Sequence, residues 1–163
     1  MTWNEVTAKF EIASGIAVVI SLMYLALQIR FARLAAADTS RTARSNGVRE
    51  NVLAMANNSE LRDNWMKSSG LESEYEALGT EMNVSAGGAI QVDNMCQCWM
   101  WVHWGQYKSI KTQADLKELE SIVSVFYSKP PMLNCWRISP YGSSVFDEEF
   151  VRFVEGAISK SSA

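Results

Sequence analysis

Three side chains near the middle of the chain, Cys96, Cys98 and His103, are types that bind metals or act as nucleophiles. A tetrahedral zinc site needs its ligands to converge on one point at about 2.0–2.3 Å. Cys96 and Cys98 stand two residues apart, about 200° around a helix, and therefore point to opposite sides. Cys96 and His103 share a face but are separated by about 10 Å along the axis. His103 is the only histidine, and no Cys-x-x-Cys pair occurs. The spacing predicts core roles for Cys96 and His103, with no metal and no cofactor. Cys135 follows Pro130-Pro131 with nothing beside it to activate a thiol. Ser85-Ala86-Gly87-Gly88-Ala89 lacks the lysine and the preceding strand of a phosphate-cradling loop. With no catalytic grouping in view, the expectation is a protein that is not an enzyme.

Aromatic residues are the second concentration of chemistry. Trp99, Trp101 and Trp104 crowd one stretch with His103 and Tyr107, and Trp136 follows further on. The three tryptophans occupy more than one helix face, so they cannot share one seam. They suit a central core helix, or an aromatic surface that docks a partner. A pocket lined by Trp99, His103 and Trp136 would instead suit a small ligand.

These residues need elements to hold them. Met82, Ala86, Ala89, Val92, Cys96, Trp99, His103 and Tyr107 recur at a mean spacing of about 3.6, which predicts a helix from Thr80 to Tyr107 with Gly87-Gly88 weakening it. Asn57 and Glu60 fit a cap opening a short helix through Trp65, stopped by Ser68-Ser69-Gly70. Residues 71–79 read as an acidic stretch, turn-like at Gly79. Thr112 with Asp115 opens a helix with Leu116, Leu119, Ile122, Val123 and Phe126 inward, ended by Pro130-Pro131. A short turn through Trp136 and a loop over 139–142 precede a last helix, capped by Asp147 and carrying Phe150, Phe153, Val154, Ala157 and Ile158. No stretch alternates with period two, so the fold class is all-α.

The start of the chain differs in kind. Residues 12–29, IASGIAVVISLMYLALQI, carry no charge, and nine of the 18 are Leu, Ile or Val. As a helix they cover roughly 27 Å, close to the hydrocarbon thickness of a bilayer. A signal peptide would place its basic residues before the run, whereas here Arg30 and Arg33 come after it. A core helix of a soluble protein would be amphipathic. The run is therefore predicted to be a transmembrane helix. Lys9 against Glu5 and Glu11 leaves residues 1–29 at −1, and five arginines against Asp38 leave residues 30–49 at +4. That asymmetry predicts an outside N-terminus with Trp3 near the interface, and a cytoplasmic remainder. Arg30, Arg33, Arg41 and Arg44 are the candidate membrane-surface residues. Ala13, Ala17 and Ser21 form a small-residue ridge, with Gln28 beyond it, suited to close helix packing in lipid.

The predicted organisation is a short extracytoplasmic segment (1–11), a span (12–29), a basic helical stalk (30–56), a helical domain (57–158) and a frayed tail (159–163). The architecture is thus one N-terminal transmembrane helix continuing into a small cytoplasmic helical bundle. The net charge of −3 over 163 residues gives no sign of nucleic-acid binding. Membrane lipid, and a protein partner or a second copy met through the span, are the expected partners. The expected role is a membrane-anchored interaction protein, as an accessory or scaffold subunit of a larger complex. The alternative is a membrane-tethered sensory or ligand-binding domain with an aromatic pocket.

The run Ser21-Leu22-Met23-Tyr24-Leu25-Ala26-Leu27-Gln28-Ile29-Arg30, with Glu60-Leu61, Trp65 and Phe146-Asp147-Glu148-Glu149-Phe150, resembles a widespread bacterial family of small, single-span, uncharacterised membrane proteins. The segment from Met95 to Trp104 departs from that family's Arg- and Tyr-rich pattern. The resemblance implies an inner-membrane location and the same topology, and it implies no activity.

Overall fold

The computed structural model describes residues 3–161, with the side chains of Trp3 and of residues 14–161. Ala13 and most of the expected extracytoplasmic segment therefore lie outside the described side chains, and Ser162 and Ala163 outside the described residues. Seven α-helices and one 3-10 turn make up these residues, and no strand is present among them. The chain divides into two compact units, one ending at Ser40 and the other beginning at Arg41.

The first helix, α1 (Trp3–Asn57), reaches into both units. No proline interrupts it, and Ala, Leu and Arg favour the helix through the segment that follows the apolar run. Within the first unit, residues 14–34 are exposed on every face, including Ile16, Val19, Leu22, Leu27 and Phe31. An 18-residue window of α1 has a mean hydropathy of 1.8, with none of it buried. By length and composition α1 is a candidate membrane span, a test that core helices of soluble proteins also pass. The Ser21 hydroxyl donates to the Ala17 carbonyl at 2.8 Å, so this polar side chain is satisfied inside its own helix.

The second unit gathers the end of α1 with α2 (Ser59–Ser69), α3 (Glu72–Met82), α4 (Ala86–Ser109), α5 (Gln113–Tyr127), α6 (Met132–Ile138) and α7 (Glu148–Ser161). Residues 41–56, assigned from sequence to a stalk, pack here. Ser45 and Ala56 are buried, and the Ser45 hydroxyl donates to the Trp101 carbonyl at 2.8 Å.

The helix expected over Thr80–Tyr107 is two helices. Asn83 takes a left-handed conformation (φ 56°), and the Val84 amide donates to the Gly79 carbonyl at 2.8 Å, closing α3. A Cβ on Gly79 would lie 2.7 Å from the Val84 carbonyl oxygen, so only glycine fits beside this turn. Ser85 then caps α4, its hydroxyl accepting from the Gly88 amide at 3.1 Å. Residues 72–79, read as acidic and turn-like, are helix, with Tyr75 and Leu78 buried on the inner face. The cap of α2 is Asn58, one residue beyond the expected Asn57, and its Oδ1 accepts from Leu61 at 3.0 Å. The expected short turn through Trp136 is the helix α6.

Thr112 and Asp147 cap α5 and α7 as their spacing predicts, accepting from Asp115 and Phe150, each at 3.2 Å. The last helix runs to Ser161, where Lys160 pairs with Glu120 of α5. The main core lies among α4, α5, α6 and α7 and includes Met100, Val123, Tyr127, Trp136, Phe150 and Val154. A smaller cluster of Met66, Tyr75, Leu78, Ala89 and Ile90 joins α2 and α3 to α4.

Candidate functional site

The central helix α4 is covered on most sides, with Gln91, Met95, Trp99 and Gln106 left exposed, so several of its polar residues are enclosed along with its apolar ones. Asp93, Asn94, Gln97 and His103 are all buried along it. Asp93 Oδ2 accepts from the Tyr75 hydroxyl at 2.9 Å and from the Ser139 hydroxyl at 2.8 Å, tying α3 and the end of α6 to α4. Its Oδ1 has no hydrogen-bond partner. Burial raises the Asp93 carboxyl above its ordinary range, against the opposing pull of the donors around it. Gln97 donates through Nε2 to the Tyr141 carbonyl. Asn94 Nδ2 is buried with no partner.

The cysteines do not converge on a common point with His103. Cys98 faces the Arg49 carbonyl of α1, with its sulfur 3.9 Å away, whereas Cys96 belongs to the core on the other side of α4. The Cys96 thiol beside it, together with burial, pushes the Cys135 thiol well up. Burial likewise raises the Cys98 thiol, against the opposing pull of Arg49. Both shifts favour the neutral thiol over the nucleophilic thiolate. Among the described residues, no three His, Cys, Asp or Glu side chains stand together as a metal site would require.

The expected aromatic residues go to three places. His103 is 2% exposed. Its Nδ1 lies 3.4 Å from the Tyr127 hydroxyl, and burial pushes the imidazole down to about 4. Trp136 is fully buried and donates to Glu155 Oε1 at 2.8 Å, and Trp104 donates to Asp147 Oδ2 at 2.8 Å. Asp147 is also paired with Lys108 at 2.9 Å. Burial alone would raise its carboxyl, but Lys108, Trp104 and the Phe150 amide hold it down to about 2. Trp99 is 45% exposed, with its ring 5.3 Å from Phe126 and stacked 6.0 Å from His103. Trp99, His103 and Trp136 do not line a common cavity. His103 and Trp136 are used in packing, and Trp99 is left at an open groove.

That groove has a volume of about 640 Å³ and runs between α4 and α5 to the Pro130-Pro131 turn, with Met95, Trp99, Val125 and Phe126 on its walls and Lys129 at its edge. A second, partly open pocket of about 230 Å³ lies at the junction of α1, α2 and α4, with Val52, Met55, Trp65 and Trp101 among its lining. Asn94, Gln97, Tyr141 and Trp65, which line this pocket, were not candidates on sequence grounds. The available signal was a set of polar residues, Gln91, Asp93, Asn94 and Gln97, interrupting the apolar pattern of the helix.

Of the residues expected to pack in a span, Ala17, Ser21 and Gln28 are exposed on α1, as are Arg30 and Arg33. Arg44 is exposed in the second unit, and Arg41 Nη1 approaches the Lys108 carbonyl at 3.5 Å. The fold defines an all-helical protein with one candidate membrane span. No protein-family model, no curated protein and no solved structure matches the chain.

Proposed function

We propose that the chain is a single-span membrane protein that works through contacts rather than catalysis, as an accessory or scaffold subunit of a membrane assembly. The observation that carries this reading is the uncharged, mostly apolar stretch 14–29, exposed on all sides. A soluble protein would expose far more contiguous apolar surface there than water tolerates. The inward-turned Ser21 hydroxyl suits a helix with no water to bond. Arg30 and Arg33, following the uncharged run, support a cytoplasmic second unit. Ala17 and Ser21 offer a close-packing ridge, and the open groove at Trp99 offers a contact surface on the domain.

The test is fractionation followed by sizing. The protein should stay in the membrane pellet through an alkaline carbonate wash and leave it only in detergent. In mild detergent it should run as an assembly larger than a monomer, and Ala17→Leu should weaken that assembly. Recovery of the protein in the detergent-free supernatant refutes the span. A clean monomer extracted from native membranes refutes the subunit role.

A further inference from the structure

We propose that the outer face of α5 is a self-complementary interface, on which a second copy of this chain packs α5 against α5, antiparallel, about a two-fold axis. The proposal rests on the reading of the Trp99 groove as a contact surface and names its partner. α5 packs against α4, α6 and α7, with Leu119, Val123 and Tyr127 buried. Glu118, Ile122, Val125 and Lys129 are exposed, away from that core. Their spacings of four, three and four place them within an arc of about 60°, in a row about 16 Å long. Lys129 lies just past α5, after the cap Ser128, whose backbone is still helical. It lines the same groove as Val125 and Phe126.

The order of residue types selects the partner. The row reads acidic, apolar, apolar, basic. Turned end for end it meets itself, with Glu118 facing Lys129 of the second copy and Ile122 facing Val125, and symmetry repeats both contacts. Docking of an unrelated protein asks for no such reversal. Among the described residues neither Glu118 nor Lys129 is held in an ion pair, so both charges are available. Met95 and Trp99 of α4 and Phe126 are exposed beside the row and widen its apolar centre. A contiguous apolar patch with polar ends is the pattern of an interface. Charges at an exposed rim add little strength, so the apolar centre holds the pair and the charges fix its antiparallel register. Every residue of the face belongs to the second unit.

The test measures the mass of the purified full chain in mild detergent by light scattering over a dilution series. An Ala17→Leu background removes close packing through the span. This parent should form a dimer. Lys129→Glu or Glu118→Lys alone sets two like-charge contacts in place of two opposite ones and should weaken the dimer about tenfold or more. The double variant Glu118→Lys/Lys129→Glu reverses the row but keeps it complementary, and should return the dimer to within about twofold of the parent. Val125→Asp puts a charge at the apolar centre and should leave a monomer. Val125 is 67% exposed, so the fold tolerates the change. The proposal fails if the parent is monomeric, if either single reversal leaves the dimer as tight, or if Val125→Asp stays dimeric. It also fails if the double reversal does not restore the dimer, as for a different protein or a lipid surface on this face. An assembly extracted from membranes that ignores the reversals overturns the α5 interface and leaves the subunit reading standing. A detergent-free, soluble dimer that obeys them overturns the span and leaves the interface standing.

Discussion

Asp93→Asn separates a charge effect from a packing effect, because the two side chains are nearly isosteric. Asp93 is fully buried and receives two hydroxyl donors on Oδ2. Its carboxyl is raised from an ordinary value of 3.8, chiefly by burial. The folded state therefore holds the proton to higher pH than the unfolded chain does. The stability this contributes is complete below 3.8 and is lost as pH rises through the folded-state value. Between those limits the loss is about 1.4 kcal/mol per pH unit. Asparagine cannot ionise, so the variant lacks this slope. Its carbonyl oxygen can stand where Oδ2 does and accept from both hydroxyls, which leaves the amide nitrogen without an acceptor at the Oδ1 position, a pH-independent offset of about 1–2 kcal/mol. Urea unfolding in detergent, followed by tryptophan fluorescence from pH 4 to 8, reads both quantities. The stability of wild type minus variant should start positive near pH 4, fall at up to about 1.4 kcal/mol per pH unit, and then level off. Groups common to both proteins, His103 included, cancel in that difference. Parallel curves across the whole range would refute the raised carboxyl and the burial said to cause it.

His103 should act with the opposite sign. Its imidazole is pushed from 6.5 to about 4 by burial, so the unfolded chain takes up the proton first as pH falls. Between pH 6.5 and 4 the wild type should lose about 3 kcal/mol that His103→Gln does not lose, and equal acid sensitivity in the same unfolding assay would overturn this. Asp147→Ala should cost about 2 kcal/mol, from the lost cap on α7 and the unpaired Trp104 indole, with the Lys108 pair adding little because it is partly exposed. Asp147→Asn keeps an oxygen for the cap and should recover roughly half of that in a thermal melt. Identical melts for the two variants would refute the capping role.

The residues that announced themselves in the sequence were those whose signal is local. Thr112 and Asp147 sit three residues before the amide they accept from, and that geometry needs no knowledge of the tertiary fold. The unbroken apolar run of α1 was legible for the same reason. The helix expected over Thr80–Tyr107 failed where two signals coincided. The step from Met82 to Ala86 keeps the helical period across the turn at 83–85, so periodicity alone reads straight through it. Gly79, Asn83 and Ser85 held the contrary information in their backbone and capping preferences. The aromatic pocket was overread for a different reason. Trp99, His103 and Trp136 are each plausible pocket walls in isolation, but Tyr127 stands beside His103 and Glu155 binds the Trp136 indole. Neither partner could be placed from spacing.

The polar residues of α4 show why a single-stripe reading misses a helix covered on most sides. A helix with one buried face should carry its polar residues toward water. Asp93, Asn94 and Gln97 break that rule because α1, α2, α3 and α6 cover the sides that would otherwise be wet. Their fates then diverge according to what each neighbour supplies. Asp93 finds the hydroxyls of Tyr75 and Ser139, which lock α3 and α6 in register with α4. Gln97 finds the Tyr141 carbonyl, which fixes the loop after α6. Asn94 is enclosed with them, and its Nδ2 finds no acceptor. Two of the three are accounted for by the architecture they hold together. The third is held in the same architecture at a cost in stability, because covering that side of α4 encloses its amide whether or not an acceptor is there.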